Sequence, residues 1–411
     1  MKLPIFANSL YPGISHDVWP LIFGYLPDSE DQTVRNLTLT CSCFRYIAQP
    51  LLFRNVTVRP FRTYVKFDHS KVQMALQPAE VEWHLSRLQF LTSPRIAPAV
   101  RRVQAIPTET WQRDFPVRTP GEVDTILSAL LSALPAFPNL REVVFNHLDF
   151  SSAHIELLSR VQRFRTLMIV GCGAPSFIPS HHLLAVDFLR VTPSVDTGGI
   201  SHLWMGAIKL EIVSTLYFST SEHTHTFLTA ARARCMQALR SLDINITYSS
   251  TPHILSVLSE LPRLEVLNMT TFFRGENPTS DGQDLDFATG KITLPSLYHY
   301  NGPLNILLHL HLPSLSYLNI AGISETIPAE PDALIRLLPY IQEMLPSAKD
   351  LGFVVLFLTE SLSKMLLTFL PPESQVECLR YFICNPRPTA VFEIPDTDSL
   401  EVFILTSMFR M

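Results

Sequence analysis

LRSLDINITYSSTPHILSVLSELPRLEVLNM, residues 239–269, contains one complete period of this chain. Its opening, LRSLDI (239–244), places apolar residues at 239, 242 and 244, with the last two alternating as a half-buried strand requires. SSTPHILSVLSEL (249–261) then switches to helical spacing, LPR (261–263) makes a Leu-Pro turn, and LEVLNM (264–269) repeats the opening pattern. A strand, a helix and a return to the same strand pattern form a unit that cannot bury its apolar face alone. Such units are stable when stacked on copies of themselves.

Working outward, the pattern apolar-x-x-apolar-x-apolar recurs as LREVVF (140–145), FRTLMI (164–169), VDFLRV (186–191) and VSTLYF (213–218). Beyond the central pair it continues as LYHYNG (297–302, a poor copy), LSYLNI (315–320), AKDLGF (348–353), LRYFIC (379–384) and LEVFIL (400–405). The first and last starts, 140 and 400, are ten intervals apart, an average of 26 residues within a range of 18 to 33. That period falls in the range of leucine-rich repeats. Leu/Phe-Pro turns precede five copies, as FPN, LPR and three LPS sequences. The expected fold is therefore α/β: an irregular leucine-rich-repeat-like solenoid over 136–411, with parallel strands on a concave face and helices on a convex one. Residues 60–135 fit the period least and read as irregular linker or capping repeats, with an amphipathic helix around Trp83 to Leu91 and an early strand at VRRVQA (100–105).

The N-terminal residues 1–59 have another character. Val18, Ile22 and Leu26 recur at four-residue spacing on a helix capped by Asp17, and Pro27-Asp28 ends it. Ser29 and Gln32 have capping-box spacing for a second helix. A third is expected to carry Leu39, Cys43, Phe44 and Ile47 and to stop at Pro50, followed by an exit strand, LLFRNVTV (51–58). ISHDVWPLIFGYLPDSEDQTVRNLTLTCSCFRYIAQPLLFRNVTV resembles an F-box, matching at Ile14-Ser15, Asp17, Val18 to Leu26, Pro27-Asp28, Leu39 to Phe44 and Leu52-Phe53-Arg54. The sequence departs from the family pattern at Ser15 for proline, Phe44 for tryptophan and Ser42-Cys43 for a basic pair. The resemblance implies a substrate-recognition subunit of an SCF-type (cullin-RING) ubiquitin ligase, without catalysis in this chain. By motif position it implies that Ile14, Ser15, Val18, Ile22, Cys41 and Phe44 face the adaptor subunit and, through it, the cullin. The alternative is a repeat scaffold whose F-box no longer supports ligase assembly.

Composition agrees with a folded, non-nucleic-acid-binding protein. Hydrophobic residues are 47% and charged residues 17% of the 411, and the net charge is −5. Disorder needs the opposite balance, and nucleic acid calls for a basic face. The six cysteines show no two-residue metal or redox spacing, which fits a reducing compartment. MKLPIFANSLYPG offers only a short apolar stretch, so a cleaved signal is not expected and the location read is cytoplasmic and/or nuclear. Residues 292–324 lack Asp, Glu, Lys and Arg but contain Pro295, Pro303 and Pro313, so they read as two buried repeat strands and not as a membrane span.

No nucleophile elbow, P-loop or dinucleotide fingerprint occurs, and no cofactor, metal or catalytic residue is expected. Gly171-Cys172-Gly173 reads as a strand-to-loop turn. His309-x-His311 is expected on one face of a strand, and His181-His182 and His223-x-His225 in loops, none with the further ligands zinc requires. The expected working surface is the central position of each copy: Val144, Met168, Arg190, Tyr217, Asp243, Asn268, Asn319, Ile383 and Ile404. Of these, Met168, Arg190, Tyr217, Asp243, Asn268 and Asn319 are the candidate contacts for a protein substrate, a mixed polar and aromatic set of the kind interfaces use. The polar insertion FFRGENPTSDGQDLD (272–286) is a second candidate binding element.

Overall fold

The computed structural model describes residues 31–40, 45, 48, 50–65, 71–110, 125–161, 164–175, 183–192, 204, 206–219, 236–246, 251–271, 291–323, 349–355, 378–383 and 401–406. The chain divides into two compact units, Met1–Phe177 and Ile178–Met411. Ile14, Ser15, Val18, Ile22, Cys41 and Phe44 lie outside the described residues, as do His181, His182, His223, His225 and the insertion 272–286.

In the first unit the strands β1 (Asn55–Val58), β4 (Arg102–Ala105), β6 (Glu142–Asn146) and β7 (Thr166–Val170) form a parallel ladder in chain order. Between β1 and β4, strands β2 (Arg62–Val65) and β3 (Lys71–Met74) join β5 (Thr108–Thr110) in a separate three-stranded sheet. Helices Pro78–Leu91, Thr125–Ala133 and Ser152–Ser159 are neighbours in the same chain order. The first starts cleanly because Gln77 and Glu80 form a reciprocal capping box and Pro78 occupies its first turn, where a missing N–H costs nothing.

The second unit carries β8 (Phe188–Thr192), β9 (Thr215–Phe218), β10 (Ser241–Ile246), β11 (Val266–Thr271), β13 (His299–Pro303), β15 (Tyr317–Ile323), β16 (Asp350–Val355), β17 (Cys378–Ile383) and β18 (Glu401–Thr406). Each pairs in parallel with the next. Sequential parallel pairing with helical returns is the topology of an α/β solenoid-like array.

The apolar pattern explains the ladder. The first apolar position (Leu239, Leu264, Leu297, Leu315), the fourth (Leu189, Leu216, Leu242, Leu267, Leu318, Leu351) and the sixth (Val191, Phe218, Ile244, Met269, Ile320) are all buried. Three such side chains per rung, at about 1.5–3 kcal/mol each, supply the stacking energy. The poor copy at 297–302 is a compensated one. Tyr300 replaces leucine at the fourth position, and Gly302 at the sixth leaves it room. The Tyr300 hydroxyl donates to the Pro303 carbonyl at 2.7 Å, which removes the cost of burying it.

Several expectations are corrected. The ladder begins before residue 136: the early strand expected at VRRVQA (100–105) is present as β4, and FRNVTV (53–58), expected only as an exit strand, carries the same pattern and furnishes β1. The expected exit strand over 51–58 is only Asn55–Val58, because Pro50, Leu51 and Leu52 are helical and the chain turns through Phe53 and Arg54. Leu39 belongs to the helix Asp31–Thr40, not to the helix after it. In the last two copies the observed frame lies three residues and one residue before the expected one. Strand β17 pairs Arg380, and not Ile383, with Gly352, and β18 continues that row with Phe403, and not Ile404.

Residues 292–323 lack charge because they hold buried rungs. They are cut into β12 (Ile292–Thr293), β13, the short helix Leu304–Leu307, β14 (Leu310–His311) and β15. No helix among the described residues is long and apolar enough to cross a membrane.

Candidate functional site

The strand residues that do not enter the core form rows at right angles to the strands, because side chains alternate and the pairing keeps register. In the second unit the central row runs Arg190, Tyr217, Asp243, Asn268, Asn301, Asn319. Five of these six were expected. Asn301 was missed because its copy has tyrosine and glycine at the core positions, and the signal that finds it is its fifth place in LYHYNG. In the first unit Val144 and Met168 pair in register with each other and follow Thr57 and Gln104. Val144 is buried and Met168 is half-buried.

The row in the second unit is linked by its own contacts. The Arg190 guanidinium lies over the Tyr217 ring, 4.2 Å from its centroid. The Asn268 side chain and the Arg190 guanidinium both favour the ionised form of the Asp243 carboxyl. Asn319 Nδ2 donates to Asn301 Oδ1 at 2.8 Å. Burial raises the Asp243 carboxyl above its ordinary value, against the opposing pulls of Asn268 and Arg190. Two buried atoms in the row, Arg190 Nε and Asn319 Oδ1, lack a hydrogen-bond partner.

Two residues earlier along the strands lies a second row, containing His299, Tyr317 and Asp350. The His299 and Tyr317 rings stack at 4.0 Å with 8° between planes. Burial lowers the His299 pKa, and Asp350 opposes that shift. Two residues later, Thr192, Ser219, Asn245 and Thr270 give a hydroxyl and amide row. Together the rows make a face rich in hydrogen-bonding and aromatic groups and poor in charge.

Gly171-Cys172-Gly173 is a turn following β7, as expected. Gly171 has φ +61°, and a Cβ there would collide with the His147 ring. The Cys172 thiol is buried, and burial pushes it up to about 12, so it is no nucleophile. It accepts from the Leu148 N–H at 3.5 Å and donates to the Val170 carbonyl at 3.4 Å. Counted from Phe164, Cys172 occupies the Asn/Cys place of the leucine-rich pattern, and it does that residue's work of tying neighbouring backbones. His309 and His311 do not share a face as expected: His309 is buried in a turn before β14, whereas His311 is exposed on the strand. No group of three or more potential metal ligands occurs among the described residues.

Near the N-terminus, Val34 and Ala48 are buried against Leu37, Leu51 and Leu52, a small apolar cluster of the helical segment. Arg45 Nε donates to the Thr38 carbonyl at 3.1 Å, and Leu39 is exposed.

No protein-family model matches the chain, and no curated protein matches it. Among solved structures, the crystal structure of a TLR13–ssRNA13 complex aligns with a TM-score of 0.28 and 14% identity, covering 79% of this chain. The alignment spans 35% of that chain's length. The fold assignment rests on the ladder itself.

Proposed function

We propose that the chain is the substrate-recognition subunit of an SCF-type ubiquitin ligase. The second unit's polar face holds a protein substrate, and the N-terminal helical segment docks the adaptor. The chain itself performs no chemistry. It raises the local concentration of a substrate lysine near the conjugating enzyme.

The observation that carries the recognition half is the in-register row from Arg190 to Asn319, which sets five half-buried polar and aromatic side chains and the buried Asn319 on six adjacent strands. Interfaces favour such mixtures of arginine, tyrosine and amides on rigid elements. The docking half rests on the F-box resemblance of residues 14–58. The helical segment around Val34 and Ala48, with its own apolar cluster and exposed Leu39, is compatible with a small adaptor-binding module.

The test is a pull-down of the full chain by the purified adaptor subunit, beside a chain lacking residues 1–50 and the double variant Ser15→Pro/Phe44→Trp. The deletion stops short of Asn55 because β1 is a rung of the ladder. Binding by the full chain, its loss on deletion, and tighter binding by the double variant are expected. If the folded full chain fails to bind, the ligase assignment falls and a repeat scaffold becomes the better account.

A further inference from the structure

We propose that a line of arginines on the first unit, Arg54, Arg101, Arg141 and Arg165, binds an extended, glutamate- or aspartate-rich segment of a partner protein. This surface lies outside the polar rows of the second unit and goes beyond the ligase reading without depending on it.

The four residues hold the same place in four successive copies of the pattern, directly after its first apolar residue. The backbone sets them in line. The Arg101 N–H donates to the Arg54 carbonyl at 2.9 Å, the Arg141 N–H to the Arg101 carbonyl at 2.8 Å and the Arg165 N–H to the Arg141 carbonyl at 2.8 Å. Neighbouring members are therefore one strand spacing apart, and the line runs about 14 Å across the rungs. Arg101, Arg141 and Arg165 are exposed, and none of the three forms an ion pair among the described residues. The column beside them holds Asn55, Arg102, Glu142 and Thr166, and its two charges are paired with each other at 3.3 Å. That column does not offset the line.

The repeat does not require arginine at this place. In the second unit the same chain of carbonyl-to-N–H bonds passes through Asp187, Ser214, Arg240, Glu265, Tyr298 and Ser316. There Arg240 meets an opposite charge on the next rung, Nη1 to Glu265 Oε1 at 2.6 Å. Opposite charges on neighbouring strands stabilise a sheet, and like charges cost stability. The first unit instead sets like charges on consecutive rungs, in a chain whose net charge is −5. A partner that brings negative charge relieves the repulsion and gains charge-assisted hydrogen bonds from the guanidinium groups.

Geometry selects the chemistry of that partner. Side chains on one side of an extended peptide recur about every 6.8 Å, so three alternate carboxylates cover about the same 14 Å. A line of single positive charges suits a line of single negative ones. A phosphate gathers its charge at one point and calls for arginines that converge on it. Single-stranded nucleic acid calls for exposed rings on which bases stack. The residues before Arg101, Arg141 and Arg165 are the buried Val100, Leu140 and Phe164, and Phe53 before Arg54 packs edge-on against Phe90.

The experiment titrates the full chain into fluorescent peptides at about 0.15 M salt, where exposed charges more than about 8 Å apart are largely screened. The probe carries six consecutive glutamates. Its companions are a glutamine copy, a copy with a single phosphoserine in place of the glutamates, and a short uridine RNA. The glutamate peptide should bind, more weakly as salt is raised, and the glutamine copy should not. Arg101→Gln, Arg141→Gln and Arg165→Gln should each weaken binding about threefold, and the triple variant about thirtyfold, as exposed ion pairs of ordinary strength predict. Arg240→Gln removes the same charge from the same repeat position in the second unit and should bind as the parent does. Urea midpoints close to or above the parent's establish that the variants are folded. Tighter binding of the phosphoserine copy or the RNA, an equal loss with Arg240→Gln, or indifference to the triple substitution would overturn the proposal. So would absence of glutamate-peptide binding by a chain that the adaptor still captures, a result that leaves the ligase reading standing.

Discussion

Replacing Gly302 by alanine should destabilise the second unit, and a change at Tyr300 should repair part of the damage. A Cβ at Gly302 would lie 2.8 Å from Met269 Cε, 3.0 Å from the Tyr300 hydroxyl oxygen and 3.1 Å from Tyr300 Cζ. Met269 can yield at its flexible end. Tyr300 cannot, because it is fully buried and its hydroxyl is committed to the Pro303 carbonyl. Overpacking of this kind costs about 1–3 kcal/mol. Tyr300→Leu alone should cost about 2–4 kcal/mol through the void it leaves and the unpaired carbonyl. In the double variant the new methyl faces the space the ring vacated. Its cost should therefore fall short of the sum of the single costs by about 1–2 kcal/mol. Urea unfolding of the four proteins, followed by far-UV circular dichroism with tryptophan emission as a second probe, measures the cycle. Additivity within about 0.5 kcal/mol, or a neutral Gly302→Ala, would refute the claim that these positions compensate each other.

Cys172 should resist alkylation in the native protein at pH 8. With the thiol pushed up to about 12, its thiolate population is roughly a thousandfold below that of a free cysteine, and burial blocks access as well. Peptide mass mapping after iodoacetamide treatment should find Cys172 unmodified until denaturant is added, and rapid native labelling would contradict the buried turn. Asp243→Asn should raise stability at neutral pH. The folded carboxyl titrates above its unfolded value, so the folded state binds the extra proton and stability falls as pH rises through that interval. Urea midpoints measured from below the ordinary carboxylate value to neutrality should show the gain of the asparagine variant appearing only as pH climbs past the unfolded value. A gain constant across that range would mean that the desolvated charge is not its source.

The repeat architecture was legible because it depends on a short pattern that each rung must satisfy. Leu239, Leu242 and Ile244 are buried for the same reason as Leu264, Leu267 and Met269, and the spacing of those residues fixes strand register. Reading failed where local sequence allowed more than one frame. VECLRYFIC contains two overlapping apolar frames, and only pairing with Asp350–Val355 selects the earlier one. FRNVTV adjoins helices and so looks like the end of the N-terminal module, although it satisfies the repeat pattern and its Asn55–Val58 pairs with Arg102–Ala105. At the site, the row was legible from strand alternation alone. The pairing of its amides was not, since hydrogen bonds between side chains on neighbouring strands depend on rotamers that no spacing encodes. Asn301 stayed hidden because the pattern that would reveal it is disguised by the Tyr300 and Gly302 exchange.

That exchange bears on function as well as on packing. Strand spacing is fixed by the backbone, so a repeat array adds one recognition side chain per rung at a constant pitch. Losing the rung at 299–303 would separate Asn268 from Asn319 and remove Asn301, dissolving the amide pair. The fully buried tyrosine and the glycine beneath it keep an irregular rung in register with its regular neighbours. Stability at Tyr300 and the proposed recognition at Asn301 are thus coupled through one strand. A substitution that shifts β13 by a single residue would turn Tyr300 to the polar face and Asn301 to the core. A core change at Gly302 that leaves the protein folded should therefore still disturb ligand binding when it alters the register of that strand.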